Sequence, residues 1–413
     1  MFKNGIFILI SLLCSPTLLW GQFHRCGTNQ VHFRPSNWEE RKSQAEEIIQ
    51  KFLSQKHIEQ RSKITIPVVI HIVWNQEEEN ISDEQILSQI DILNQDFRAM
   101  NTEIMSIPRE FEALAADTEI EFCLTRQDER GRETTGIVRT FTREQGVAGN
   151  NALIKNGSFG GSDAWDTERF LNIWVGRRND GILGTATMPG EAEDWEDGIV
   201  IDYRAFGNIG TALGNEPYNL GRTLTHEVGH YLGLQHLWGE SFNNDSCEGD
   251  DGISDTPVQA TTYNQECPSE PTRTCQSSDM YMNFMNYTND ACMSLFTIQQ
   301  SERMIAVLNT IRSELSNNQP CEIVNQVEVS LSEDMIHISP NPVSKQFSIQ
   351  VNNLNQPLTA ELINPLGQSL ETVKIMPRTS YLWDVQAYSS GIYYLRLHNK
   401  YQYITKPIFI NPR

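Results

Sequence analysis

The segment from His226 to His236 carries the residue types whose spacing is most informative about chemistry. It contains His226, Glu227, His230, Gly233 and His236 in the pattern H-E-x-x-H-x-x-G-x-x-H. Histidines four positions apart lie on one face of a helix, so both imidazoles can bind the same metal ion. A glycine permits the left-handed conformation that ends a helix, which would turn the chain back and bring His236 in as a third ligand. Three protein ligands leave one position for water, as in a catalytic zinc site, and Glu227 is placed to act as general base on that water.

The alternative is a helix whose histidines are polar surface groups or satisfied core groups. The chain has only 9 histidines among 413 residues, so five fixed positions rarely coincide by chance. Leu224, Tyr231 and Leu232 also supply the apolar face that a buried helix needs. The pattern therefore favours the metal site.

A second segment, Tyr281 to Tyr287, extends the pattern. Together the two segments resemble the metzincin metallopeptidases, in which a tight turn with a methionine lies beneath the metal. The resemblance implies that Met285 is this Met-turn residue and that Tyr287 stabilises the tetrahedral oxyanion. A lone methionine usually fills a core, but the position of Met285 after the third ligand favours the specific role.

Four further runs resemble the pappalysin family within the metzincins, and the resemblance covers roughly residues 62 to 320. The runs are 66–74, 90–97, 120–124 and 171–175. The family implies an α+β catalytic domain with a mixed twisted sheet, a zinc-site helix, a backing helix and an irregular C-terminal subdomain that holds the Met-turn. It also implies a secreted zinc (Zn²⁺) endopeptidase that is made as a latent zymogen and binds calcium.

The family resemblance also implies cleavage before Arg or Lys, which requires an acidic residue at the base of a pocket. Asp290 is the candidate, although an aspartate in a turn is more often a cap. For calcium (Ca²⁺), hard oxygen donors are expected in the acidic loop 248–256, with Asp251, Asp255 and Thr256 as ligands. A solvated acidic turn is the alternative.

The N-terminal segments indicate export and processing. Residues 1–21 combine a basic start, an apolar centre and a small final residue, as in a secretory signal peptide. No later segment approaches the roughly 20 apolar residues of a membrane span. Residues 22–61 are polar, contain one helical pattern at 38–53, and fit a propeptide with Arg61 or Lys63 as processing points.

Cys26 lies in this propeptide, in the triplet Arg25-Cys26-Gly27. A thiolate on a removable segment can occupy the open position of a zinc site and exclude water. The triplet resembles the cysteine switch of metzincin zymogens, which implies that Cys26 binds zinc before activation. A surface thiol or a disulfide partner is the alternative.

Four cysteines follow the zinc helix: Cys247, Cys267, Cys275 and Cys292. Outside the cytoplasm they allow three disulfide pairings. The family resemblance implies Cys247 with Cys275 and Cys267 with Cys292. A structural zinc is disfavoured because no closely spaced pair is present. Cys123 and Cys321 stay undecided between buried thiols and a bridge.

The peptidase domain, residues 62–324, also shows helical and strand patterns. Helices are predicted at 82–97, with Ser82 and Gln85 as a capping box, and at 297–315. Strands at 66–74, 120–125, 171–176 and 198–203 predict a mixed sheet. The strand 171–176 is expected to form the rim above the metal, where its edge would pair with an extended peptide.

Residues 325–413 change to short alternating runs separated by turn signals, which predicts a small all-β sandwich. The segments Ser339-Pro340-Asn341-Pro342, Leu366-Gly367-Gln368 and Gly391 to Leu395 resemble the C-terminal sorting domain of the type IX secretion system. This implies passage through the periplasm, the secretion machinery as partner, and release from the cell or attachment to its surface. A carbohydrate-binding or adhesion sandwich is the alternative.

The net charge of −21 disfavours nucleic acid as a partner and favours a cationic substrate or bound metal cations. The resemblance to peptidases implies protein and peptide substrates. A non-catalytic adhesin with a vestigial zinc site is the second function class. It is disfavoured because the ligands, the base, the methionine and the tyrosine are all present.

Overall fold

The computed structural model describes thirteen stretches of the chain, which divides into two compact units, 1–322 and 323–413. Among the described residues, no helix has both the length and the apolar character needed to cross a bilayer. The predicted signal peptide and Arg61 lie outside the described residues. Leu366 and Gly367 of the predicted sorting-domain segment also lie outside them. The described stretches are 24–28, 35–55, 63–239, 247–260, 262–263, 266–268, 272–317, 321, 335–351, 358–365, 368–375, 380–398 and 403–411.

The first unit contains seven strands and six α-helices, besides short 3-10 turns, among the described residues. Its strands are β1 (His24–Cys26), β2 (Ile64–Trp74), β3 (Ile120–Leu124), β4 (Ile137–Phe141), β5 (Leu171–Gly176), β6 (Ile182–Ala186) and β7 (Ile199–Asp202). Its helices are α1 (Trp38–Ser54), α2 (Asp83–Phe97), α3 (Asn151–Ile154), α4 (Arg222–Tyr231), α5 (Ile298–Asn309) and α6 (Ser313–Asn317).

The strands form one mixed sheet in the order β1-β6-β7-β5-β2-β3, with β4 also paired to β2. The rim strand differs from the prediction. Strand β5 is buried along its whole length and lies between β2 and β7, as expected of a central parallel strand with an apolar sequence. The rim is β6, which runs antiparallel to β7 and presents its other edge to β1.

Helix α2 packs its apolar stripe on the sheet, with Ile86, Leu93 and Phe97 fully buried. Its cap is one-sided, because Ser82 accepts from the Gln85 backbone N–H while the Gln85 side chain donates to Phe206 O instead. The predicted capping box is therefore only half formed.

The predicted helix 297–315 is divided in two. Helix α5 begins with a complete capping box between Thr297 and Gln300. It ends at Asn309, because Thr310 adopts a non-helical conformation (φ −129°, ψ −84°), and α6 follows after a short turn.

Three disulfides lie among the described residues of this unit. Cys247 pairs with Cys275 and Cys267 with Cys292, with Cα–Cα distances of 5.9 and 5.8 Å. Cys123, on β3, pairs with Cys321, which ties the sheet to the segment that follows α6. All six of these cysteines are bridged, and Cys26 is the free cysteine of the described residues.

The second unit consists of antiparallel strands in two sheets. The strands are β8 (Ile336–Ser339), β9 (Gln346–Val351), β10 (Leu358–Ile363), β11 (Ser369–Ile375), β12 (Ser380–Asp384), β13 (Gly391–His398) and β14 (Tyr403–Ile410). The sheets are ordered β11-β10-β13-β14 and β12-β9-β8, and Phe347, Trp383, Leu395 and Leu397 lie in the core. The predicted α+β unit followed by an all-β sandwich is confirmed, although sequence patterns missed β8, β11 and β12.

Candidate active site

Three histidines converge at the end of α4. His226 and His230 lie on the helix, which stops at Tyr231, and Gly233 (φ +87°) turns the chain so that His236 meets them. The Nε2 atoms are separated by 3.1 Å between His226 and His230, 3.0 Å between His230 and His236, and 3.3 Å between His226 and His236. All three side chains are buried.

Backbone carbonyls fix the orientation of two of these rings. The Nδ1–H of His226 donates to Phe284 O at 2.7 Å, and that of His230 donates to Leu234 O at 2.8 Å. Each Nε2 lone pair therefore faces the cluster. Burial lowers the pKa of His226 well below its usual value and that of His230 to about 4. Neutral imidazoles whose lone pairs converge within 3.3 Å repel one another unless a cation lies between them, so the donor set fits zinc.

Glu227 is fully buried beside the cluster. Its Oε2 accepts a hydrogen bond from Thr28 Oγ1 at 2.8 Å, and burial raises its pKa to about 7. The rim strand approaches this carboxylate closely, because a Cβ added to Gly184 would lie 2.7 Å from Glu227 Cγ. The glycine on β6 therefore makes room for Glu227.

Met285 packs against α4, and Tyr287 lies beside the histidine cluster. Met285 is fully buried under α4, and a Cβ on Gly229 would collide with its sulfur, so the glycine inside the histidine motif allows this packing. The Tyr287 hydroxyl lies 3.0 Å from His236 Nε2. Burial raises the pKa of Tyr287 well above its usual value, so the hydroxyl keeps its proton.

Strand β1 lies across the cluster. It runs parallel to β6, with Cys26 opposite Gly184. Cys26 is buried, and its Sγ and one ligand nitrogen from each histidine all lie within 4.8 Å of one another. These four residues form the only cluster of potential metal ligands found among the described residues.

The side chain of Arg25, next to Cys26, enters a buried pocket that contains the carboxylate of Asp290. The pair is fully buried, with Arg25 Nη2 at 2.7 Å from Asp290 Oδ1. The same Nη2 donates to Thr288 O at 2.6 Å, and the guanidinium lies 4.8 Å from the Tyr218 ring centroid. The other oxygen of Asp290 accepts the backbone N–H of Leu220 at 2.8 Å, just before α4 begins.

The acidic loop brings two of its three expected donors together, Asp251 and Thr256. Asp251 Oδ1 accepts from Thr256 Oγ1 at 2.7 Å, while Asp251 Oδ2 is buried without a hydrogen-bond partner. Asp255 differs from the expectation, because its carboxylate accepts from Thr297 Oγ1 at 2.7 Å and from the Gln299 backbone N–H at 3.0 Å. It thus satisfies the beginning of α5.

Sequence reasoning missed Thr28 and Tyr218. Thr28 contacts Glu227 and also accepts the Ala186 backbone N–H at 3.0 Å. Its position two residues after Cys26 was visible, but no spacing rule links a threonine to a distant glutamate. Tyr218 lies ahead of α4 in a segment without a motif.

The histidine cluster, the adjacent glutamate and the Met-turn define a metzincin zinc metallopeptidase. Comparisons with known proteins give the same class. Residues 156–309 match the family described as pregnancy-associated plasma protein-A, and residues 337–411 match the secretion system C-terminal sorting domain.

Relatives and solved structures extend this match. An extracellular metalloprotease of Arthroderma gypseum is 30% identical over 254 residues, which cover 59% of this chain and 72% of the relative. A promirolysin variant from Tannerella forsythia is 41% identical over 71% of this chain and 97% of its own, with a TM-score of 0.64. Mature mirolysin of the same organism, solved with a cleaved peptide, is 46% identical over 62% of this chain and 97% of its own, with a TM-score of 0.59.

The chain therefore belongs to the pappalysin family of metallopeptidases. It is a secreted zinc metalloendopeptidase whose substrates are proteins.

Proposed function

We propose that this chain is the latent zymogen of an endopeptidase that cleaves before arginine or lysine, held inactive by Arg25, Cys26 and Thr28. The observation that carries the proposal is the fully buried Arg25–Asp290 ion pair beside a cysteine at the histidine cluster. A side chain of the propeptide thus fills the pocket that the proposal assigns to the substrate.

The pocket suits a long cationic side chain. Asp290 supplies a carboxylate, Thr288 supplies a carbonyl, and the Tyr218 ring offers its face to the guanidinium. A buried cation without such partners would be strongly disfavoured, so an uncharged or acidic residue should gain little here. Arginine reaches all three groups, whereas a lysine would use fewer of them.

The direction of β1 should protect the propeptide against cleavage. Arg25 precedes Cys26 in the chain, yet it occupies the pocket proposed for the residue that follows the scissile bond. A substrate with its arginine in this pocket would therefore run in the opposite direction, antiparallel to β6. Strand β1, which runs parallel to β6, presents its peptide bonds to the site with reversed polarity.

The residues of the chain then have distinct roles in hydrolysis. A zinc ion bound by His226, His230 and His236 would polarise a water molecule and the substrate carbonyl. Glu227 takes the proton of the water and passes it to the leaving amine. Tyr287 keeps its proton and donates a hydrogen bond to the oxyanion.

The propeptide blocks each of these functions. The Cys26 thiol lies at the position left by the three histidines, where it would bind zinc as a thiolate and exclude water. Thr28 donates to the carboxylate of Glu227, so the base is already engaged. Removal of residues 22–61 would free the pocket, the zinc position and the base together.

Two further assignments complete the proposal. The second unit would direct the chain to the type IX secretion machinery, supported by its match to a sorting domain. Calcium would bind beside Asp251, supported by its buried oxygen without a hydrogen-bond partner. Asp255 is a weaker ligand than the sequence suggested, because α5 uses both of its oxygens.

The test is a comparison of short peptides that differ only after the scissile bond, with arginine, lysine or leucine there. In activated enzyme, kcat/KM should favour arginine, and Asp290→Asn should reduce that preference by at least about 10-fold while hydrolysis of the leucine peptide changes little. An unchanged preference in Asp290→Asn would contradict the assigned pocket.

A further inference from the structure

Helix α1 of the propeptide docks on a surface separate from the substrate cleft. Its inward residues, Ala45 and Ile49, are buried, and Ile49 packs against Ala306 and Val307 of α5. The adjacent residue Ile48 is 47% exposed on the other face. The helix is thus amphipathic, with a narrow apolar stripe directed at α5.

A charged contact accompanies this stripe. The guanidinium of Arg303 donates to both oxygens of Glu46, at 2.9 and 2.6 Å. The Nε of Arg303 donates to Gly233 O at 2.6 Å, in the turn between the second and third histidines. Arg303 therefore links α1 to the histidine motif, and its side chain is only 9% exposed.

The opposite wall of the groove is the loop that follows the rim strand β6. Gly190 (φ +81°) makes the close approach possible, because a Cβ there would lie 2.8 Å from Arg41 O and 3.2 Å from Ala45 Cβ. Arg41 also donates to Ala192 O at 2.7 Å. This wall is thus fitted to the helix backbone, whereas the α5 wall contacts the side chains of Ile49 and Glu46.

We propose that this groove, between α5 and residues 188–193, is a helix-binding exosite of the peptidase domain. Its ligand is an amphipathic helix with a carboxylate three residues before a buried aliphatic residue, and its occupant is α1 itself, bound in cis in the intact chain and in trans once released. The buried face of α1 contacts α5 and the loop at Gly190, whereas the cleft is occupied by the separate strand segment that holds Arg25, Cys26 and Thr28. The exosite can therefore be filled while the cleft is open.

The test uses a labelled peptide of residues 35–55 and full-length chains that all carry Glu227→Ala, so that the peptide is not degraded. In wild-type and Ile48→Asp chains the groove is occupied in cis, and the peptide should not bind. In the Ile49→Asp chain a charge replaces the buried side chain, which should release α1 and allow saturable binding in trans. Fluorescence anisotropy measures the binding, and a peptide-dependent rise in Tm of the Ile49→Asp chain provides a second readout.

Peptide variants test the recognition itself without any effect on protein folding. Ile49→Asp in the peptide should weaken binding at least about 10-fold, and Glu46→Gln should weaken it about 5-fold by loss of the charge-assisted pair. The neighbouring changes Ile48→Asp and Glu47→Gln should stay within about 2-fold, because these residues are exposed.

A second chain, Glu46→Arg, should also release α1 by placing like charges together, which guards against misfolding of the Ile49→Asp chain. Equal binding to all chains would place the peptide on another surface and overturn the inference. The inference would also be overturned if the peptide bound neither the Ile49→Asp nor the Glu46→Arg chain. The same holds if Ile48→Asp and Glu47→Gln in the peptide weakened binding as much as Ile49→Asp and Glu46→Gln. None of these outcomes depends on peptidase activity, so they are independent of the proposed specificity.

Discussion

The histidine segment 226–236 and the acidic loop 248–256 are close in sequence and both are rich in metal-ligating side chains, but they fold differently. In the histidine segment the ligand nitrogens lie within 3.3 Å of one another. In the acidic loop, Asp255 faces α5 and one oxygen of Asp251 is used within the loop. Residue composition thus identifies possible ligands, whereas helical spacing and a distant carbonyl, Phe284 O, determine whether they converge.

The largest expected effect distinguishes a carboxylate of the histidine segment, Glu227, from a carboxylate of the acidic loop. Glu227→Ala should lower kcat/KM by about 10²–10⁴-fold, because it removes the proton acceptor and leaves the three histidines in place. The control is Asp250→Ala, an exposed carboxylate in the acidic loop, which should leave activity unchanged. Zinc content and peptide hydrolysis are measured on the activated enzymes. Substantial hydrolysis by zinc-loaded Glu227→Ala would refute the assigned role.

The fourth donor of the histidine cluster should control latency. Cys26→Ala should shorten the lag before self-processing several-fold, because water then reaches the site while Arg25 still fills the pocket. The measurement is the early time course of precursor cleavage and peptide hydrolysis. The double variant Cys26→Ala with Glu227→Ala excludes a contaminating protease. An unchanged lag would mean that Arg25, Thr28 and α1 suffice for inhibition.

The sequence predicted the local features of the active site well. The four-residue spacing of His226 and His230 and the glycine at 233 prescribe a helix end and a return of the chain, which the structure contains. The Met-turn came from family resemblance, and its packing depends on Gly229, a position that the motif leaves unspecified.

Features that depend on spatial order were not predictable. Strands β5 and β6 are both apolar and buried, so periodicity could not assign the rim to β6. The bridge between Cys123 and Cys321 spans 198 residues, and no local signal pairs cysteines so far apart. The end of α5 at Asn309 interrupts an otherwise helical pattern, and just beyond it the buried Arg312 donates to Tyr231 O, a contact that helix propensity does not reveal.

The buried carboxyl of Asp251 should make stability depend on pH when calcium is absent. Burial raises its pKa to about 7, above the value near 4 of an unfolded aspartate. The folded state then binds the proton more tightly, so this group's contribution to stability should decrease from pH 4 to pH 7. The stability of the Asp251→Asn chain should decrease less over this range. Thermal unfolding in calcium-free buffer, with zinc supplied, measures the difference.

Calcium provides the control for Asp251. Added at pH 7.5, it should raise the Tm of the parent chain and not that of Asp251→Asn, since a cation would stabilise the ionised carboxylate. Both chains carry Glu227→Ala to prevent self-cleavage. An equal calcium response in the two chains would place the cation elsewhere.

The smallest expected effect concerns Asp255 and sharpens the contrast between ligand and cap. Asp255→Ala removes two hydrogen bonds at the beginning of α5, to Thr297 Oγ1 and to the Gln299 N–H, and it removes a negative charge near the positive end of the helix. The expected loss is about 1 kcal/mol, because a cap of this kind contributes about that much. As a cap acts without metal, the loss should be the same with and without calcium, whereas Asp250→Ala should cost much less. This loss is measured by denaturant unfolding, in buffers with and without calcium, of chains that all carry Glu227→Ala. A loss that occurs only with calcium would mean that Asp255 leaves α5 to bind the cation, and the acidic loop would then resemble the histidine segment after all.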